Sequence, residues 1–193
     1  MFEQICKPSG TVSELVGSSS GIHPRYSEYY IRSIRQDNKD PLTGFLKDSG
    51  VSWEPCFGKE DQTTVFYFPV CSPSQSIRRE DISAIQQLEH WLIYQRHWCE
   101  HKPSITVYVR QDEWLSVGSW VYEHFDEMSG VSFLPYSDHS YVQAPFTECT
   151  KEEYEILVKS SPMDLDWTKF IEEGDNTIAS QELACSGNTS CYI

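Results

Sequence analysis

Apolar and polar positions fall into alternating strand-like and helix-like stretches. Residues 2–6 read as the end of a strand, broken at once by a Pro-Ser-Gly turn. Residues 11–16 suit a short helix, stopped by Gly17 and the run Ser18-Ser19-Ser20-Gly21. Residues 29–35 alternate as a strand does, and 63–70 (TTVFYFPV) are β-branched and aromatic, a second strand. Between them, 41–47 predict a short helix capped by Asp40 and ended by Gly50. The clearest helix covers 80–98, with Ile82, Ile85, Leu88, Trp91 and Leu92 at helical spacing and Glu80, Gln87 and His90 on the other face. A strand at 104–110 follows, then an amphipathic helix over 113–128 that turns Leu115, Val117, Trp120, Val121 and Phe125 inward. Residues 130–134 make another strand, closed by Pro135. Thr150-Lys151-Glu152-Glu153 has capping-box form and opens a helix to about Lys159. Strand, helix, strand, helix, strand in succession predicts an α/β fold. Beyond Pro162 the pattern thins into a polar, acidic stretch that reads as a mobile tail.

Composition narrows the classes. The 193 residues carry 29 acidic and 15 basic side chains, a formal charge of −14, and the pI is near 4.7. An acidic chain argues against a general nucleic-acid binder. No apolar run approaches 18 residues, so a membrane span is not expected. The start, MFEQICKPSG, lacks the basic and apolar regions of a secretory signal. Seven cysteines, an odd number in a long chain, favour a reducing cytoplasm over a disulfide scaffold. Cys6, Cys56, Cys71, Cys99 and Cys149 read as small buried thiols. A chain that opens one strand before a glycine turn looks like the back part of something larger.

Four constellations carry possible chemistry. Pro8-Ser9-Gly10-Thr11-Val12-Ser13, between a strand and a helix, offers N–H groups, hydroxyls and a helix N-terminus, the combination a phosphate needs. A plain turn is its equal alternative, and no Gly-Lys pair makes it a Walker loop. His97-Trp98-Cys99-Glu100-His101 has metal-like spacing but no partner motif elsewhere, and sits where histidines also suit a helix C-terminus. Cys71 to Arg78 nearly matches a cysteine-phosphatase loop, yet has six intervening residues and no glycine. Cys185 and Cys191, near the C-terminus in a Gly/Ser context, are able to approach to disulfide distance, or are unremarkable tail thiols.

Together, KPSGTVSELVGSSSGIHPRY, YYIRSIRQDNKDPL, FYFPV, QLEHWLIYQRHWCEHKPSITVYV, the long block ending FDEMSGVSFLPYSDHSYVQAP, and QELACSGNTSC resemble the C-terminal quarter of adenosylcobalamin-dependent (class II) ribonucleotide reductases. The resemblance runs over nearly the whole chain. It implies the C-terminal part of the reductase α/β barrel, in three regions: residues 1–20 closing the barrel with the phosphate loop, 21–162 lining the cobalamin site, and 163–193 a redox tail. Pro8, Ser9, Gly10, Thr11, Val12 and Ser13 then match the loop that binds the substrate's phosphates. Cys185 and Cys191 match the pair that re-reduces the active-site disulfide and is itself reduced by thioredoxin. Gly21 to Asp81 and Ser140 to Ile178 correspond to stretches beside adenosylcobalamin, whose cobalt needs no protein histidine in this family. His23, His124 and His139 are therefore read as packing or surface residues.

Five residues separate the tail cysteines where the family often has four, which should shift the redox potential modestly. The radical cysteine, its neighbouring glutamate and asparagine, the active-site disulfide pair and the effector segment have no counterpart in this chain. The implied partners are an upstream catalytic fragment, thioredoxin and a ribonucleotide, with no membrane and no nucleic acid. The alternative is a fragment that binds cobalamin or a nucleotide without catalysis.

Overall fold

The computed structural model describes residues 6, 8–9, 12–136, 142–162 and 164–171. The chain divides into two compact units, each made of two separate stretches: 1–28 with 72–139, and 29–71 with 140–193. Residues 21–162, expected as one region, are thus shared between both units.

In the first unit a single helical turn, α1 (Val12–Leu15), follows the bridge of Cys6 to Pro103. Gly17, with φ +63°, ends the turn, and the Ser18 N–H closes back on the Ser13 carbonyl at 2.8 Å. That pairing satisfies a last-turn carbonyl, and the left-handed conformation at Gly17 costs a glycine least. Helix α3 (Ala84–His97) starts at a capping box in which Ser83 and Gln86 satisfy each other's backbone N–H groups. It packs on strand β4 (Ile105–Val109), and helix α4 (Trp114–Glu123) crosses over to strand β5 (Val131–Pro135), parallel to β4. Ala84, Leu88, Trp91, Leu92, Val107 and Trp120 centre the core. The Trp91 indole N–H reaches the Pro103 carbonyl at 2.8 Å, so the largest core ring buries no unpaired donor.

The second unit holds an antiparallel sheet in the order β2-β3-β1-β6, formed by β1 (Tyr29–Asp37), β2 (Trp53–Pro55), β3 (Thr63–Cys71) and β6 (Phe146–Glu148). Helix α2 (Pro41–Asp48) is capped by Asp40, whose carboxylate accepts from the Leu42 N–H at 2.9 Å. Helix α5 (Lys151–Ser160) opens on the Thr150–Glu153 capping box.

Four expectations change. Leu115 and Phe125, read as inward, are 89% and 71% exposed: Leu115, two residues before Val117, falls on the opposite face of α4, and Phe125 lies past the helix end at Glu123, in a 3₁₀ turn at Phe125–Glu127. Gln87, read as outward, is buried on α3. Cys71, expected buried, is exposed at the end of β3, while Cys56 and Cys99 are buried as expected. The short strands β2 and β6 carry too few residues for their alternation to show in sequence. No helix among the described residues is long and apolar enough to cross a membrane.

Candidate functional site

The turn after Cys6 is built by a change of partner along β4. Cys6 accepts from the Ser104 N–H at 3.0 Å, as one strand does beside a parallel neighbour. Continuing the ladder would bring the residue-8 carbonyl to the Thr106 N–H, but Pro8 follows and the chain peels away. The imidazole of His23 takes that place, its Nε2 accepting from Thr106 N–H at 2.9 Å. Its Nδ1 lies 2.8 Å from the Ser20 carbonyl and donates to it, which fixes the neutral tautomer. Burial holds the His23 pKa below its ordinary value.

From His23 the bracing passes to the loop itself. Ser20 Oγ donates to the Ser9 carbonyl at 2.8 Å, and Ser13 Oγ donates to the same carbonyl at 3.0 Å. Ser9 Oγ accepts from the Ser13 N–H at 3.0 Å. The buried Arg25 guanidinium donates to the Gly17 carbonyl at the far end of the turn. Ser9 and Ser13 are therefore tied to each other and to Ser20, with Pro8 and Val12 their chain neighbours; Gly10 and Thr11 lie outside the described residues. Ser13 is buried and gives its hydroxyl proton to Ser9, so its part is to hold the loop's shape.

In the second unit, parts of the two stretches Gly21 to Asp81 and Ser140 to Ile178 come together around a cleft of about 590 Å³. Phe45 and Asp48 come from the first, Asp164, Lys169 and Phe170 from the second. Phe45, Trp167 and Phe170 form an aromatic trio with centroids 5.2–6.4 Å apart. Asp166 caps the turn that carries Trp167, and its bonds to Thr168 with the nearby Lys169 hold its carboxyl below the usual range. The cleft is the size of a pocket for a drug-sized ligand, smaller than a complete cobalamin. Its chemistry nevertheless fits one edge of a corrin: aromatic rings for the apolar face, carboxylates to accept from peripheral amide N–H groups. His23 is the sole histidine in those two stretches, and both its ring nitrogens are engaged.

Cys185 and Cys191 lie outside the described residues. Among the described cysteines, burial pushes Cys6 and Cys149 up in pKa, away from the reactive thiolate. Pattern reading missed the supports Ser20, His23 and Arg25; a His-Pro-Arg following a serine run was their signal. It also missed a group at the carboxyl ends of β4 and β5, where parallel sheets place their ligands. There Arg79 lies over Tyr26 at 3.8 Å and Tyr136 at 4.9 Å, and Arg110 lies over Tyr136 at 5.0 Å.

No family model matches the chain. Among solved structures it is similar to a B12-dependent (class II) ribonucleotide reductase, with a TM-score of 0.68 and 30% identity, over 83% of this chain and 23% of that one. The mixed helix-and-strand fold is thus that of a portion of class II ribonucleotide reductase. Among curated proteins it is 29% identical over 184 residues to the adenosylcobalamin-dependent ribonucleoside-triphosphate reductase of Euglena gracilis, 94% of this chain and 25% of that protein. The enzyme of that name from Lactobacillus gasseri is 32% identical over 153 residues, 77% of this chain and 20% of its own length. A protein described as a probable one, from Dictyostelium discoideum, is 29% identical over 191 residues. The chain belongs with the adenosylcobalamin-dependent ribonucleotide reductases as a partial segment, spanning about a fifth to a quarter of these relatives' length.

Proposed function

We propose that the chain is the C-terminal part of an adenosylcobalamin-dependent ribonucleotide reductase, acting with an upstream catalytic polypeptide that holds the radical cysteine. The observation that carries this reading is that one segment matches the reductases in both sequence and fold. In it the loop from Pro8 to Ser13 receives the phosphates of a ribonucleoside triphosphate, as the relatives' names suggest. Backbone N–H groups of the loop are the donors. Ser9, Ser13, Ser20 and His23 brace the described part of the loop before substrate arrives, so less ordering remains to be done on binding. β4 and β5 with α4 form part of the reductase barrel.

The cleft beside α2 would form one wall for the cofactor, where Phe45 and Phe170 would hold an apolar face and Asp48 and Asp164 would accept from amide N–H groups. When bound, adenosylcobalamin supplies the radical that starts the reaction, by homolysis of its cobalt–carbon bond. Cys185 and Cys191 carry electrons from thioredoxin to the active-site disulfide: one thiolate attacks it, the other resolves the mixed disulfide, and two electrons pass.

The test is steady-state kinetics of the enzyme reassembled from this chain and the upstream polypeptide. Gly10→Val should raise KM for the triphosphate with kcat little changed, since a β-branched side chain blocks the approach of backbone to phosphate. An unchanged KM would make the loop a structural turn only.

A further inference from the structure

We propose that the outward face of α4 is a docking surface for a helix of the reductase polypeptide that this chain lacks; the proposal rests on the function just proposed. Leu115, Gly118, Ser119 and Tyr122 recur at helical spacing and form one stripe, continued by Phe125 in the 3₁₀ turn. Leu115 is 89% exposed and Tyr122 86%, while Val117 and Trp120 on the opposite side are buried in the core. A helix apolar on both sides is a helix covered on both sides.

Gly118 gives an independent sign. Glycine is the poorest helix former after proline. Yet a Cβ at 118 would meet nothing within 4 Å, and the residue has no positive φ. Nothing among the described residues calls for glycine there. A second helix approaching closely does, because the side chains at a contact set the distance between helix axes.

The strand that α4 leads into points the same way. Among the described residues β5 pairs with β4 alone, leaving its other edge open, and Leu134 on it is exposed. Parallel strands are ordinarily covered on both faces.

Two facts select the occupant. The relatives and the solved reductase extend well beyond the matched segment, which is 20–25% of their length, so ample polypeptide remains to supply a helix. Furthermore, the stripe carries no charge but is rimmed by Asp112, Glu123 and Asp126, whereas the nearby Glu113 and Glu127 are paired with Arg110 and Arg96. A second copy of this chain would set that acidic rim against its own, in a molecule of net charge −14. The fitting partner is a helix with small and apolar residues along one face and basic residues beside it.

The experiment mixes the whole chain with the part of the Euglena gracilis reductase outside the matched segment. Association is followed by sedimentation, and deoxyribonucleotide formation in parallel. Leu115→Asp, Gly118→Leu and Tyr122→Asp should each weaken association at least tenfold while melting as wild type does. Glu152→Lys, on α5 in the other unit, should associate as wild type. Association that withstands all three α4 substitutions overturns the surface, as does a wild-type chain that fails to associate. Self-association of the chain abolished by those substitutions overturns the occupant. Association that is sensitive to α4 but yields no deoxyribonucleotide supports the surface and counts against the proposed function, so the two fail separately.

Discussion

Replacing His23 with phenylalanine keeps a ring of similar size and removes both hydrogen bonds that join the loop to β4. The part-buried Thr106 N–H loses its acceptor; an orphaned donor costs about 1–3 kcal/mol. The bond from Nδ1 to the Ser20 carbonyl, 2.8 Å long, adds about 0.5–1.5 kcal/mol. The expected loss is on the order of 2–4 kcal/mol, read as a shift in urea midpoint at constant slope. The pH dependence gives a second readout. Burial lowers the folded pKa of His23, whereas in the unfolded chain it titrates near the ordinary value, about 6.5. Below that pH the unfolded state takes up a proton that the folded state refuses. The stabilisation is therefore full above about pH 6.5 and is lost as pH falls toward the folded pKa. The difference in stability between wild type and His23→Phe should shrink over that window. Faster exchange of the Thr106 amide in the variant should accompany it. A difference under about 0.5 kcal/mol, as for an ordinary surface substitution, or one that does not change with pH, would refute the bracing role.

Gln87 is buried with neither amide atom hydrogen-bonded, so Gln87→Leu should raise stability by about 1 kcal/mol or more in thermal denaturation; a loss would mean the amide has a partner. Thr150→Ala removes the cap of α5, whose Oγ1 accepts from the Glu153 N–H, and should cost about 1 kcal/mol by urea titration. In the reassembled enzyme, Cys185→Ser or Cys191→Ser should stop multiple turnover with thioredoxin while leaving the first turnover intact, and dithiothreitol should partly restore the rest. Cys99→Ser, which alters a buried core thiol, should lower stability with no selective loss of thioredoxin coupling.

The sequence marked out elements whose cause is local. Asp40 before Pro41, the Thr150–Glu153 box and the β-branched run at 63–70 each act within a few residues, and each element forms within two residues of its expected bounds. What escaped was disguised by side-chain type or set by distant partners. Gln87 shares the buried face of α3 with Ala84, Leu88 and Trp91, which its polar side chain disguises, and Leu115, two residues before Val117, falls on the outer face of α4 although it is apolar. β2 and β6 exist because β3 and β1 offer them edges. At the loop, Pro8 and the serines were legible as a turn, but the separation of 83 positions from His23 to Thr106 hides the bond that anchors it. The phosphate chemistry itself came from resemblance, since a strand-to-helix turn with serine and glycine is equally a plain turn.

The most direct test of the central proposal is deoxyribonucleotide formation from a ribonucleoside triphosphate by this chain and the upstream polypeptide, with adenosylcobalamin and thioredoxin. The account predicts turnover by the mixture, none by either part separately and none without the cofactor. Product from this chain without the upstream part, or no product from a mixture shown to associate, would contradict it.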